Sequence, residues 1–208
     1  MNIHSWIVFL GPLSSFLSTV LPLKHKTDID PLFRFLFLLM LVVEILGYGI
    51  PRISEWDNYF IYNTYTVIFF LCCFRFYFQL TKSDLWKKVI YTFSAILIPL
   101  FLIVTYYNGT FFSDVQVQTF YFGCIVTTIL AVRYLLSILR SEEIYDFYRS
   151  RSFWISCGLL VFCIPFIPII VSYKYMLFDY KTLEILKSLL IIFMHICFII
   201  SFQWTLRR

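Results

Sequence analysis

Charge is the first thing this sequence lacks. Only 14% of its residues are Asp, Glu, Lys or Arg, where a soluble domain needs about 25% to cover its surface. With 61% of residues hydrophobic and a mean hydropathy of +0.83, a soluble fold would leave most apolar side chains in water, at about 25 cal/mol per Å². Small residues are also scarce: alanine occurs only at Ala95 and Ala131, there are six glycines, and no GxxxG appears. That argues against GxxxG-type helix packing, and bulky aromatic packing with looser helix contacts is expected instead. There is no HExxH, no Ser-His-Asp order and no glycine-rich phosphate loop, so no catalytic residue is assigned and a non-enzymatic protein without a cofactor is expected.

What is present is apolar and continuous. Runs at 3–23, 32–50, 59–80, 88–107, 115–139, 153–173 and 183–206 are each of the length a helix needs to cross about 30 Å of hydrocarbon. A β-barrel would alternate in short segments. The connections are too short for a globular module, so residues 1–208 read as a single all-α transmembrane domain, a bundle of about seven helices. The first run reads as a span and not a secretory signal, because it lacks a basic leader and an Ala-x-Ala-like site and is followed by Lys24 and Lys26.

Those two lysines hold the end of the first span in the cytoplasm and send the N-terminus out. The other loops agree. Lys82, Lys87, Lys88, Arg140, Arg149, Arg151, Arg207 and Arg208 fall on the same inner side, against Arg52, Lys174 and Lys181 on the outer side. The net charge of +5 is therefore topogenic, and nucleic-acid binding, which needs a basic soluble face, is not expected. The reading is an N-out, C-in protein of a bacterial inner membrane.

All six cysteines, Cys72, Cys73, Cys124, Cys157, Cys163 and Cys197, fall inside spans, where a thiol is an ordinary packing residue. Cys72 and Cys73 are adjacent and point to different helix faces, so they form no CxxC metal or redox motif. Neither a disulfide framework nor a metal site is expected.

Charges inside the spans need an escape or a partner. Arg34, Arg75 and Arg133 lie near inner helix ends and Lys187 near an outer end, all within reach of the interface by snorkelling. Glu44 and His195 are too deep for that, so each must be neutral, hydrogen-bonded or paired. On a helix Glu184, Ser188, Ile191 and His195 share one stripe, which must face protein or water. Toward the outer half lie Tyr62, Asn63 and Tyr65 at the opening of the third span, Asn108 at the close of the fourth, and Gln116, Thr119, Gly123 and Thr127 on one face of the fifth. The candidate ligand-binding set is Glu44, His195, Asn63, Tyr62, Tyr65, Asn108 and Gln116. These groups either line a cavity open to the outside or glue helices together by hydrogen bonds of about 0.6 kcal/mol each. Pro99, and Pro165 with Pro168, are expected to break the fourth and sixth spans, and Gly47 to Pro51 to fray the end of the second.

Two enzyme or pigment patterns fail. Glu142 and Glu143 resemble the glutamate pair of membrane-embedded CAAX-type proteases, but no arginine follows at the required spacing, and they sit in a mixed-charge loop with Asp146, Arg140, Arg149 and Arg151. A retinal pigment needs a deep lysine in the last helix for its Schiff base. The deep residue there is His195.

Four local strings carry a further resemblance: Val43-Glu44-Ile45-Leu46-Gly47-Tyr48, Tyr62-Asn63-Thr64-Tyr65, Asn108-Gly109, and Phe153-Trp154-Ile155-Ser156-Cys157-Gly158. In this order the chain resembles uncharacterised short seven-helix membrane proteins of Bacteroidota, some encoded near signalling histidine kinases. A glutamate expected shortly after the Tyr-Asn motif is replaced by Phe69. The resemblance singles out Glu44, Asn63 and Asn108. The expectation for function is a membrane module that senses or transmits, with the bilayer and a cytoplasmic or membrane protein as partners. A small-solute or lipid transporter, or a structural subunit of a membrane complex, is the alternative.

The orientation is open to a direct test. Reporter fusions after Arg208 and in the 81–88 loop should both read as cytoplasmic, and a periplasmic signal from either overturns the assignment.

Overall fold

The computed structural model of the chain describes residues 3–20, 30–53, 57–109, 111–140, 146–175 and 178–203, and the side chains of all of these except 3–9, 20, 30, 52 and 173–175. The described residues form α1 (Ile3–Val20), α2 (Asp30–Ile53), α3 (Tyr59–Leu80), α4 (Asp84–Asn108), α5 (Val117–Leu139), α6 (Arg151–Tyr175) and α7 (Tyr180–Gln203), with one 3-10 turn at Phe147–Arg149. Helices α2 to α7 are long and apolar enough to cross a membrane, and a transmembrane helical bundle follows.

Every expected span has its helix. Helix α4 begins at Asp84 and not at 88, because a polar first turn carrying Asp84 and Lys87, 3.8 Å apart, can sit at the interface. Residues 21–23 and 204–206 of the expected spans, with Lys24, Lys26, Glu142, Glu143, Arg207 and Arg208, lie outside the described residues. The prolines do not break their helices: α2 runs through Pro51, α4 through Pro99, and α6 through Pro165 and Pro168. In lipid a broken helix would leave backbone groups with no water to satisfy them, so a helix missing one bond is the better state.

Contacts between helices close a ring. Helix α1 packs against α2 and α7, α2 against α3, α3 against α5, α5 against α6, and α6 against α7. Helix α4 stands outside, against α3 and α5. Its buried residues, Ile90, Leu97 and Val104, repeat every seven positions, a single narrow stripe. The rest of its surface is apolar and exposed, with Leu102, Ile103 and Tyr91 facing outward, as a lipid-facing helix requires.

One half of the ring's interior is filled by rings. Phe33 and Phe37 of α2, Phe76 of α3, and Phe198 and Phe202 of α7 are all buried to 1% exposure or less. Their centroids lie 5.2 Å apart for Phe33 and Phe76, 5.3 Å for Phe37 and Phe198, and 6.0 Å for Phe33 and Phe202. This plug lies toward the end that carries the N-termini of α2, α4 and α6, here called the basic end. In the other half a second ladder joins α3, α5 and α6 through Phe69, Phe70, Phe120, Phe162 and Phe166. Offset and edge-on ring pairs contribute about 0.5–1.5 kcal/mol each beyond their area.

Glycines make room for these large side chains. A Cβ on Gly123 would collide with the Phe70 ring, one on Gly11 would lie 2.5 Å from His195 Cδ2, and one on Gly47 would lie 2.5 Å from the Tyr62 hydroxyl. Gly158 lets α6 approach α7, with the Met194 carbonyl 3.1 Å from the Cβ position. Helix contacts are thus locally close despite the shortage of small residues, because each of these four glycines receives a ring or a helix backbone. Gly109, at φ 61°, ends α4 in the left-handed region, which favours glycine.

The arginines near the basic end do more than snorkel. Arg34 Nε donates to the Thr19 carbonyl at the end of α1, 3.0 Å away. Arg133 Nη1 donates to Thr81 Oγ1 at 2.7 Å while its guanidinium lies 4.2 Å from the Trp86 ring centroid, so it ties α5 to the α3–α4 connection. Arg75 is exposed beside the Phe78 ring. At the opposite end Asp179 caps α7, accepting from Thr182 N–H at 2.9 Å and from its hydroxyl. Those bonds hold the Asp179 carboxyl below the usual aspartate range.

Gly123→Ala should lower stability by about 1–3 kcal/mol, the usual cost of overpacking, whereas Gly49→Ala, with nothing within 4 Å of the added Cβ, should be neutral. Thermal unfolding of the purified variants in detergent measures both. Equal melting temperatures would remove the close-approach role of Gly123.

Candidate functional site

Helix α3 opens with Tyr62 and Asn63, and 100° of rotation between neighbours sends them to different helices. Asn63 turns to the α4–α5 connection. Its Nδ2 donates to the carbonyls of Phe111 at 3.1 Å and Asp114 at 2.9 Å, and its Oδ1 accepts from Gln116 N–H at 3.0 Å. Gln116 continues the tie, donating from Nε2 to Thr105 Oγ1 at 2.7 Å and accepting from Thr119 Oγ1 at 3.4 Å. Asn63 and Gln116 are each 2% exposed. The structure brings these two expected residues together, but their polar atoms are occupied in holding a connection in place.

Tyr62 turns to α2. The absence of a side chain at Gly47 lets the phenol lie over the α2 backbone, and Asn58 Nδ2 fixes the same turn by donating to the Gly47 carbonyl at 2.8 Å. From there the Tyr62 hydroxyl donates to Glu44 Oε2 at 3.4 Å, a long bond for a carboxylate acceptor. Among the described residues it is the one hydrogen bond to that carboxylate. Tyr65, one turn on and stacked on Phe69 at 5.8 Å, also lies within reach of the Glu44 charge.

Lys187 of α7 is half-buried and, among the described residues, makes no ion pair with Glu44 within 4 Å. Glu44, Tyr62, Tyr65 and Lys187 all keep accessible surface. Sequence reasoning placed Lys187 at the lipid interface.

His195 belongs elsewhere. Its Nδ1 is 2.8 Å from Ser15 Oγ of α1, and its ring lies in the space left by Gly11. The pairing of Phe33 with Phe202 and Phe37 with Phe198 sets an antiparallel register. Continued outward, it brings Glu44 level with Ile191, one turn or about 6 Å from His195 along the axis. Glu44 and His195 therefore have separate partners on separate helices, and His195 docks α1 on α7. Asn108 is exposed at the end of α4, apart from both groups.

Asn63→Ala should cost about 1–3 kcal/mol per buried backbone group left without a partner, and Asn63→Asp, which loses both donors, should not restore it. Unfolding in detergent reports the loss. Wild-type stability in both variants would show that the connection holds without this tie.

No protein-family model matches the chain, and no curated protein or solved structure is significantly similar to it. The likeness to short Bacteroidota membrane proteins rests on its local strings alone.

Proposed function

We propose that the chain is a non-enzymatic sensing or accessory module of a bacterial inner membrane, N-out and C-in, with α1 as a seventh span. It binds a small or lipid-like ligand between α2, α3 and α7 and passes the binding on to a protein partner at its basic end. The alternation of helix direction together with the lysine and arginine bias supports this orientation, and the place of α1 in the ring supports seven spans.

The single observation that carries the reading is Glu44. An ionisable group inside a span costs several kcal/mol unless partnered, and among the described residues this carboxylate accepts one hydrogen bond, from Tyr62 at 3.4 Å. Groups that served only as glue would be satisfied as Asn63 and Gln116 are. The aromatic plug favours binding over transport, because a path through the ring would require five packed rings to part. The resemblance to short Bacteroidota membrane proteins, some encoded near histidine kinases, supports a protein partner at the basic end.

Protein purified in mild detergent should retain a small molecule or lipid visible by native mass spectrometry, and Glu44→Gln should lose it while melting as the wild type does. Retention by Glu44→Gln would sink the site. Solute uptake into liposomes that depends on Glu44 would replace the sensor with a transporter.

A further inference from the structure

At the basic end, Arg133 offers a second site that is independent of Glu44. It lies in the last two turns of α5, about 9 Å inside the helix end at Leu139, and its long side chain brings the guanidinium to the level where head groups meet hydrocarbon. Two contacts fix that group. Nη1 donates to Thr81 Oγ1 at 2.7 Å, and the guanidinium carbon lies 4.2 Å from the Trp86 ring centroid. Thr81 is buried at the end of α3, and Trp86 belongs to the first turn of α4. A side chain that only snorkelled would be held by neither.

What the guanidinium lacks is a counter-charge. Thr81 takes one of the five N–H groups that an arginine carries, and among the described residues no carboxylate comes within 4 Å of it. Arg149 is the contrast, with Asp146 at 3.0 Å. The acid nearest in the chain to Trp86 is Asp84, which is exposed and turned to Lys87 at 3.8 Å. Lys82, next to Thr81, and Lys88, two residues past Trp86, are exposed and without an ion pair among the described residues. The corner is therefore positive, half-buried and already assembled. A phosphodiester presents two oxygens to the open edge of a planar guanidinium, the arrangement that arginine matches best. Leu85, before Trp86, and Leu136, one turn beyond Arg133, are exposed and give acyl chains an apolar surface that a free phosphate would not use. The lysines disfavour a zwitterionic lipid, whose cationic head would lie among them. We infer that Arg133, held by Thr81 and Trp86, binds the phosphodiester of an anionic lipid of the phosphatidylglycerol kind in the leaflet at the basic end.

Wild type, Arg133→Gln and Arg133→Lys are prepared in nanodiscs of phosphatidylglycerol and phosphatidylcholine in equal parts, and the lipid each protein keeps is counted by native mass spectrometry. The wild type should keep phosphatidylglycerol over phosphatidylcholine by about tenfold, the scale of one charge-assisted hydrogen bond. Arg133→Gln should keep about tenfold less phosphatidylglycerol than the wild type, and Arg133→Lys severalfold less, because an ammonium keeps the charge and loses the two-pronged fit. Should Arg133→Gln fail to fold, judged by its melting curve, Arg133→Lys carries the test. Wild-type retention in Arg133→Lys overturns the site, since a diffuse positive field would then account for the lipid. Equal retention of the two lipids by the wild type overturns the anionic preference. Inorganic phosphate added to protein in pure phosphatidylcholine nanodiscs should leave the melting temperature unchanged. A rise that disappears in Arg133→Gln or Arg133→Lys would assign the corner to a free anion and overturn the lipid.

Discussion

The aromatic plug is the contact on which the rest of the bundle depends. In a membrane the hydrophobic effect does not press helices together, because lipid tails are as apolar as the side chains. Association must come from packing and from polar contacts. This chain has almost no alanine with which to bring helix backbones close, so α2, α3 and α7 meet through Phe33, Phe37, Phe76, Phe198 and Phe202 instead. Rings of this size bridge helix backbones that small residues would otherwise have to bring together. Glu44 lies beyond the plug, in the other half of α2.

The two halves of the bundle therefore differ in character. Toward the basic end the core is dry, and the ends of the helices are tied by Arg34 on Thr19, Arg133 on Thr81 and Trp86, and Gln203 on Ser18. In the opposite half the α3–α5–α6 side is packed by its own phenylalanine ladder, while the side of α2 and α7 carries charge and phenol. A ligand at Glu44 would act on α2, which together with α7 supplies four of the five rings of the plug. That is a physical route by which a ligand in one half could bias the other, through a packed element common to both.

Polar residues inside the spans serve three different purposes, and chemistry alone does not separate them. Asn63 satisfies two carbonyls and one N–H of a connection, a structural tie. His195 meets Ser15 in a space cleared by Gly11, which docks the first helix on the last. Glu44 has a single long phenol bond among the described residues, at 3.4 Å. What distinguishes the third from the first two is incomplete satisfaction. In a low dielectric, incompletely paired charge is costly, and it is there that a ligand gains most by binding.

Helix number, span positions and the need for Glu44 and His195 to have partners were legible in the sequence, because each is set by local quantities: a run of apolar residues against a fixed bilayer thickness, and the cost of a charge at a given depth. The continuity of α4 and α6 through their prolines was not, since it depends on the lack of water around the backbone. Which helices are neighbours was also hidden. That α1 closes the ring against α7, that α4 stands outside it, and that Glu44 meets Tyr62 while His195 turns to Ser15 all depend on rotation and register between helices. Helical periodicity fixes the face a residue occupies on its own helix, but the helix across from that face is chosen by how rings such as Phe37 and Phe198 and seats such as Gly11, Gly47 and Gly123 fit together. Those fits involve several helices at once, and only the tertiary structure decided them.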